Sequence, residues 1–85
     1  MSASASRRQV RIGLVGSGFI ARCHVYGYRV MATAFPELGT DPVLDCVAEL
    51  TESLAAAAKA RFGFARATTD WRKLVEDPAI DIVDI

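Results

Sequence analysis

An apolar run that breaks at two closely spaced glycines constrains the fold of this chain more than any other feature. The run, VRIGLVGSGFI, covers residues 10–20. Its first part is rich in aliphatic residues, which suits a strand buried on both faces of a parallel sheet. The glycines end this strand, and beyond them apolar residues recur at helical spacing. The sequence therefore predicts a strand, a glycine turn and a helix, in that order.

The glycines follow the pattern G-x-G-x-x-A. In this pattern Gly16 permits a tight turn, Gly18 lets the backbone approach a pyrophosphate, and Ala21 lets the helix pack against the strand. The N–H groups at the helix start, around Phe19 and Ile20, would face the anion. A helix N-terminus stabilises an exposed negative charge by about 0.3–1 kcal/mol. The pattern predicts a dinucleotide-binding loop, with a purely structural glycine turn as the alternative.

A second apolar run, VLDCVA, covers residues 43–48 and is followed by Glu49. An acidic residue at the tip of the second strand is placed to bind the adenosine ribose hydroxyls. Glu49 lies further downstream than the usual spacing of about 20 residues. The segment FPELGTDP, at residues 35–42, explains the excess as a lengthened connection between helix and strand. We expect the extra length to lie outside the site.

Helix-forming and strand-forming segments alternate through the rest of the chain. They are a helix from an N-cap at Thr51 to a stop at Gly63, a third strand (64–67), a third helix (71–77) capped by Thr69-Asp70, and a fourth strand (79–85). Right-handed crossovers give the strand order 3-2-1-4, with the first two helices on one face and the third on the other. The fold class is α/β, a doubly wound parallel sheet (β-α-β-α-β-α-β). Because no helix follows to cover the fourth strand, we expect the N-terminal part of a larger domain.

Two further groups of side chains lie on the predicted helices. Trp71, Leu74 and Val75 form an apolar stripe at helical spacing, which favours a core position for Trp71 over contact with an adenine. His24 and Tyr28 lie four residues apart and therefore share a helix face. Nothing near His24 in the sequence completes a nucleophile or metal constellation, so a packing or capping role is favoured over catalysis.

Composition indicates a globular, cytoplasmic protein. Ten basic and ten acidic residues give a formal net charge of zero, so nothing in the charge suggests a nucleic-acid or membrane partner. The hydrophobic content of 52% argues against disorder. Cys23 and Cys46 lack metal-ligand or redox spacing, so we expect reduced cysteines and no metal. Residues 1–8 are expected to form a flexible arm.

Four segments together resemble the N-terminal domain of the glucose-fructose oxidoreductase and inositol dehydrogenase family (Gfo/Idh/MocA). They are VRIGLVGSGFIARCH, CVAEL, AAAAKARFG and TTDWRKLVEDPAIDIVDI. The resemblance implies an incomplete Rossmann-type NAD(P)-binding domain over residues 9–85. It implies that the full-length protein is an NAD- or NADP-dependent dehydrogenase that moves a hydride between the nicotinamide and a hydroxyl-bearing carbon of a sugar, polyol or related compound. A homo-oligomer is also implied.

The resemblance assigns cofactor-binding roles residue by residue. Those that would hold the pyrophosphate are Gly16, Ser17, Gly18, Phe19 and Ile20. Glu49 would bind the adenosine ribose and would repel a 2′-phosphate. Leu50, where NADP users often carry a basic or small polar residue, offers nothing to that phosphate, so we expect NAD rather than NADP.

Catalytic segments of the family have no counterpart among these 85 residues. Those segments are a Thr-Pro-Asn-like turn, a Glu-Lys-Pro motif with the catalytic lysine, and a C-terminal α/β domain. The resemblance therefore implies that this chain binds cofactor but is inactive alone, and it gives no catalytic residue. Three alternatives stay open: a non-enzymatic nicotinamide-dinucleotide-binding or sensing module, a Rossmann-like protein for a flavin dinucleotide or S-adenosylmethionine, and a structural fragment without a ligand.

Overall fold

A computed structural model describes residues 7–85. Its four strands are β1 (Arg8–Val15), β2 (Thr40–Ala48), β3 (Arg66–Thr68) and β4 (Ile82–Asp84). Its helices are α1 (Phe19–Ala34), α2 (Glu52–Phe62) and α3 (Trp71–Glu76), with a short 3-10 helix at Pro36–Leu38. All strand pairs are parallel and the spatial order is β3-β2-β1-β4, which confirms the predicted fold class and strand order. Within this part of the chain, no helix has both the length and the apolar character needed to cross a membrane.

Apolar layers cover both faces of the sheet. On one face, Val47 of β2 packs with Val25 of α1 and Phe62 of α2. On the opposite face, Cys46 packs with Leu74 of α3. The first two helices therefore share one face and the third lies on the other, as right-handed crossovers predict.

A glycine in β1 lies where α3 comes closest to the sheet. A Cβ atom on Gly13 would lie 2.6 Å from Cδ2 of Leu74. Leu74 is only 2% exposed, so its side chain has little room to move away. The glycine therefore lets α3 pack directly against the backbone of β1.

A β-bulge interrupts the pairing of β1 with β2. Ile12 pairs with Leu44 and the next residue, Gly13, pairs with Cys46, so that Asp45 has no partner in the ladder. Side chains alternate along a regular strand, and an extra residue shifts this alternation. The bulge therefore lets Asp45 and Cys46 both face the side of the sheet that α3 covers.

Asp45 is the centre of a charged cluster in the middle of β2, which we call the mid-strand cluster: Arg11, Asp45, Arg66 and Asp77. Asp45 is only 2% exposed. Its carboxylate accepts hydrogen bonds at 3.1 Å from Nε of Arg11 and from Nε and Nη2 of Arg66. Nη1 of Arg66 lies 2.8 Å from the Asp77 carboxylate, just beyond α3. Burial would raise the pKa of Asp45, but the hydrogen bonds from Arg66 and Arg11 outweigh burial and lower it.

Predicted helix ends are confirmed. Thr51 precedes α2 and its hydroxyl accepts a hydrogen bond from Leu54 N at 3.2 Å. Gly63 ends the helix in the left-handed region, with φ of 79°. Asp70 caps α3, because its Oδ1 accepts from Arg72 N at 3.0 Å. The fourth strand is shorter than predicted, since it covers only Ile82–Asp84. The third strand, predicted over residues 64–67, lies at Arg66–Thr68 and so begins two residues later and ends one residue later.

The flexible arm predicted over residues 1–8 is corrected at its last two residues, while residues 1–6 lie outside the described residues. β1 begins at Arg8, whose N–H donates to Gly39 O at 2.7 Å. Nη2 of Arg7 lies 2.6 Å from the Asp41 carboxylate. These contacts extend the pairing of β1 with β2, which itself begins at Thr40. The lengthened connection predicted over residues 35–42 is therefore shorter, because residues 40–42 belong to β2. It lies at the edge of the sheet opposite to Glu49 and thus outside the site, as predicted.

Candidate cofactor-binding site

The carboxyl ends of β1 and β2 meet at one edge of the sheet. Gly16 begins the loop after β1, and its N–H donates to the carbonyl of Ala48, at the end of β2, at 2.9 Å. Gly16 has φ of +96°, a conformation that favours glycine. The glycine loop and the acidic residue after β2 were predicted from separate motifs, and the structure places them side by side.

Glu49 is held by neutral donors from two directions. The Ser17 hydroxyl donates to Oε2 of Glu49, and Leu50 N–H donates to Oε1 at 3.0 Å. The backbone N–H of Glu49 donates to Thr68 O of β3 at 3.0 Å. The hydrogen bond from Ser17, more than any other contact, lowers the pKa of Glu49. Glu49 is therefore a carboxylate at neutral pH, and a carboxylate with about four acceptor sites can take further donors.

A pocket of about 260 Å³ opens beside this carboxylate, and we call it the Glu49 pocket. Val15 and Ala48, at the strand ends, form part of its lining. Leu50 and Trp71 add a flexible apolar side chain and an aromatic ring. The lining is thus mostly apolar with one anionic group, an arrangement that suits a planar base joined to a diol.

Trp71 lies in the Glu49 pocket and not in the core, so the core position predicted for it is wrong. Its exposed fraction is 51%, whereas that of Leu74, three residues further, is 2%. α3 starts at the carboxyl edge of the sheet and runs back across it, so its first residue stands beyond the strand ends. Val75 is also exposed, which leaves Leu74 as the member of the predicted stripe that reaches the sheet.

A second pocket, of about 330 Å³, lies between the start of α1 and the end of β4, and we call it the loop pocket. Gly18, the N-cap of α1, has no side chain to cap the helix, and no other described side chain does so. A Cβ on Gly18 would meet no atom within 4 Å. Phe19 and Ile20 line the pocket and are exposed. The first-turn N–H groups of α1 are therefore open to an anion.

His24 and Tyr28 share a face of α1, as predicted, and both reach Asp84 at the end of β4. The Tyr28 hydroxyl donates to Oδ2 of Asp84 at 2.7 Å, and Nδ1 of His24 lies 2.9 Å from the same oxygen. Burial, assisted by the Asp84 contact, raises the pKa of Tyr28 to about 12, so Tyr28 stays a neutral donor. These contacts join α1 to β4 beside the loop pocket.

Known proteins resemble this chain over most of its length. It is 40% identical over 78 residues to levoglucosan dehydrogenase of Pseudarthrobacter phenanthrenivorans, a match that covers 92% of this chain and 20% of that enzyme. A solved structure of levoglucosan dehydrogenase with NADH and levoglucosan matches with a TM-score of 0.87 and 40% identity, over 92% of this chain and 21% of the other. These matches are those expected of a chain that resembles the N-terminal nucleotide-binding domain of the Gfo/Idh/MocA oxidoreductases. The suspected resemblance is thereby confirmed.

Two further solved structures also match this chain. An NAD-binding oxidoreductase from Klebsiella pneumoniae matches with a TM-score of 0.85 and 39% identity, over 99% of this chain and 21% of the other. The scyllo-inositol dehydrogenase of Lactobacillus casei, at 22% identity and a TM-score of 0.62, shares the fold. No protein-family model matches the chain. The chain spans about a fifth of the length of the relatives it matches.

In this chain, the predicted cofactor-binding residues gather at one edge of the sheet. The Glu49 pocket includes Gly16, Glu49 and Leu50, and the loop pocket includes Gly16, Gly18, Phe19 and Ile20. Ser17 connects the two groups through its hydrogen bond to Glu49. Their assignment as cofactor ligands stays a prediction.

Sequence reasoning did not foresee the contact between Ser17 and Glu49, and it placed Trp71 in the core. One sequence signal indicates the observed position of Trp71. It follows the cap residue Asp70 directly, which makes it the first residue of a helix that starts where the third strand ends.

Proposed function

We propose that this chain is the NAD-binding part of a dehydrogenase that acts on a hydroxyl group of a sugar, polyol or related compound. The strongest support is the hydrogen bond from Ser17 to Glu49, which joins the phosphate loop to the acidic residue after β2. Relatives add to this support, because solved structures of levoglucosan dehydrogenase contain NADH. In this proposal residues 9–85 bind the cofactor, and the catalytic residues lie outside residues 1–85.

The loop pocket would receive the pyrophosphate. The first N–H groups of a helix have no acceptor within the helix, and the helix dipole places partial positive charge at the same end. At the start of α1 these groups belong to Phe19 and Ile20. Gly18 leaves open space in front of them. Gly16 and Ser17 complete the loop from the side of β1.

The Glu49 carboxylate would bind the adenosine ribose by accepting hydrogen bonds from its two hydroxyls. The lowered pKa of Glu49 keeps it charged for this task. A 2′-phosphate would bring a second negative charge to the same place. It would find no cation at Leu50, an apolar side chain that is 88% exposed. The site therefore favours NAD over NADP.

Substitution of Gly18 by valine tests the proposal. Gly18 has φ of −74° and ψ of −164°, which valine can adopt, and no atom lies within 4 Å of the added Cβ. The fold should therefore persist, while the branched side chain occupies the approach to the N–H groups. We expect Gly18→Val to bind NAD about 100-fold more weakly by calorimetry, equivalent to about 3 kcal/mol.

Gly27→Val is the matched control. Gly27 lies on α1, a Cβ there would also meet no atom within 4 Å, and it belongs to neither pocket. NAD affinity should be unchanged in this variant. Equal NAD affinity in Gly18→Val and the parent would contradict the assignment of the loop. A parent protein that is folded by circular dichroism but binds no NAD would contradict the function itself.

A further inference from the structure

The guanidinium group of Arg72 lies over the indole ring of Trp71. Cζ of Arg72 lies 5.2 Å from the centroid of the indole. The same indole lines the Glu49 pocket and is half exposed. A large aromatic ring at a pocket, with a cation over it, is not explained by packing of the core, because the buried residue of α3 is Leu74.

The turn that presents Trp71 is held by side-chain hydrogen bonds. Asp70 N–H donates to Oγ1 of Thr68, at the end of β3, at 3.0 Å. Oδ1 of Asp70 in turn accepts from Arg72 N at 3.0 Å. The backbone of Trp71 is thus fixed relative to the edge of the sheet. What remains free is the rotation of the indole about its side-chain bonds, and the stacked Arg72 restricts that rotation.

The chemistry of the Glu49 pocket fits a nucleoside. A planar base stacks well on an aromatic ring, and this contact is tolerant of the identity of the base. Val15, Ala48 and Leu50 supply further apolar surface, and Glu49 supplies acceptors for a ribose diol. Base and ribose are covalently joined, so a pocket with both features side by side can hold them together.

We propose that the Trp71 indole stacks against the adenine base and that Arg72 is a positioning residue that holds the indole in place. This proposal rests on the nucleotide-binding function given above, and it adds a residue that lies outside both the glycine motif and the acidic position. Arg72 acts through Trp71, by a contact between the guanidinium and the ring.

Two substitutions of Trp71 separate stacking from simple packing. Trp71→Phe keeps an aromatic ring, whereas Trp71→Leu keeps only apolar volume. We expect NAD affinity, measured by calorimetry, to fall about tenfold in Trp71→Leu and to stay within about threefold of the parent in Trp71→Phe. Equal losses in the two variants would overturn the stacking role, and so would equal affinity in all three proteins.

A double-mutant cycle tests the role of Arg72. Arg72→Ala should weaken NAD binding about threefold when Trp71 is present, and should have no further effect in the Trp71→Leu background. Additive losses would show that Arg72 attracts the anionic ligand on its own, which overturns its positioning role. Lys73→Ala, which removes a neighbouring positive charge that does not lie over the ring, should leave the affinity unchanged.

These outcomes are distinct from failure of the proposed function. If the folded parent binds no NAD, the nucleotide function fails and this inference fails with it. If the parent binds NAD and Trp71→Leu binds it equally well, the function stands and only the role of Trp71 is overturned.

Discussion

Two carboxylates four positions apart in the chain have different surroundings. Asp45, in the middle of β2, is enclosed and accepts hydrogen bonds from Arg11 and Arg66. Glu49, just after β2, accepts from the Ser17 hydroxyl and a backbone N–H. Hydrogen bonds lower both pKa values, against the opposing effect of burial. The same direction of shift thus arises from two different kinds of partner.

The kind of partner decides what each charge is available for. Two guanidinium groups balance the charge of Asp45, so its interactions are satisfied within the fold. Among residues 7–85, no ion pair joins Glu49 to a cation. Its negative charge therefore acts on whatever enters the pocket. The proposed ribose-binding role therefore fits the carboxylate held by neutral donors at the strand end, whereas the carboxylate in mid-strand already has cationic partners within the fold.

Removal of the enclosed carboxylate should have the largest effect. Asp45→Ala leaves Arg11 and Arg66 without their shared partner, and loss of one member of a buried ion pair costs about 3–5 kcal/mol. Because both arginines are about half exposed, we expect a loss near the lower end, about 3 kcal/mol. The free energy of unfolding in urea measures it.

Asp41→Ala provides the comparison for that measurement, since Asp41 also pairs with an arginine, Arg7. Asp41 is 39% exposed, whereas Asp45 is enclosed, so solvent reaches this pair and its loss should be smaller. Equal losses at Asp41 and Asp45 would show that enclosure of the mid-strand cluster contributes nothing.

A change of charge at the strand end should alter binding more than stability. Glu49→Arg removes the ribose acceptor and supplies a partner for a 2′-phosphate. We expect the ratio of NAD to NADP affinity to fall by about 30-fold, roughly 2 kcal/mol, as for a charged hydrogen bond. Calorimetry with the two cofactors measures the ratio.

Glu52→Arg introduces the same change of charge three residues away, in the first turn of α2 and outside the Glu49 pocket. This variant should keep the ratio of the parent. An unchanged ratio in Glu49→Arg would show that Glu49 does not bind the ribose.

Low pH should reduce the stability of the fold through both carboxylates. We expect this effect to be smaller than those of Asp45→Ala and Glu49→Arg. Each has a lower pKa in the folded protein than its ordinary value of 3.8 for Asp45 and 4.5 for Glu49. The unfolded chain therefore takes up protons first, and the stabilisation is complete above about pH 5 and is lost as the pH falls through the folded pKa values. Urea unfolding from pH 7 to pH 3 measures this loss.

In the same series, Asp45→Asn and Glu49→Gln should each show a shallower fall in stability than the parent, because each lacks one of the shifted groups. If stability fell as steeply with pH in both variants as in the parent, neither carboxylate would contribute to the pH dependence.

Local signals in the sequence were sufficient for the order of the elements. The caps at Thr51 and Asp70 and the stop at Gly63 depend on residues close in sequence, and all three are present in the structure. The parallel order of strands followed from the handedness of crossovers. The gathering of Gly16 and Glu49 at one edge followed from the same topology.

Features that depend on contacts between residues distant in the sequence could not be predicted from local signals. Helical spacing gives the face on which Trp71 lies but not its height relative to the strand ends, and that height puts it in a pocket. Nothing in the apolar run around Asp45 marks a β-bulge. The pairing of the Asp45 carboxylate with Arg11 and Arg66 was therefore not predicted. The start of β1 at Arg8 depends on pairing with Thr40, which lies 32 positions away.

The bulge in β2 also bears on how this strand tolerates insertion and deletion. Leu44 and Val47 are three residues apart, yet both pack against the same core, which a regular alternating strand does not allow. Deletion of most single residues in β2 would move the side chains on one side of the deletion to the opposite face of the sheet. Deletion of Asp45 would restore a regular alternation and keep Leu44, Cys46 and Val47 on their present faces. Asp45 therefore occupies the extra position of the bulge, and its buried charge does not replace an apolar side chain of the core.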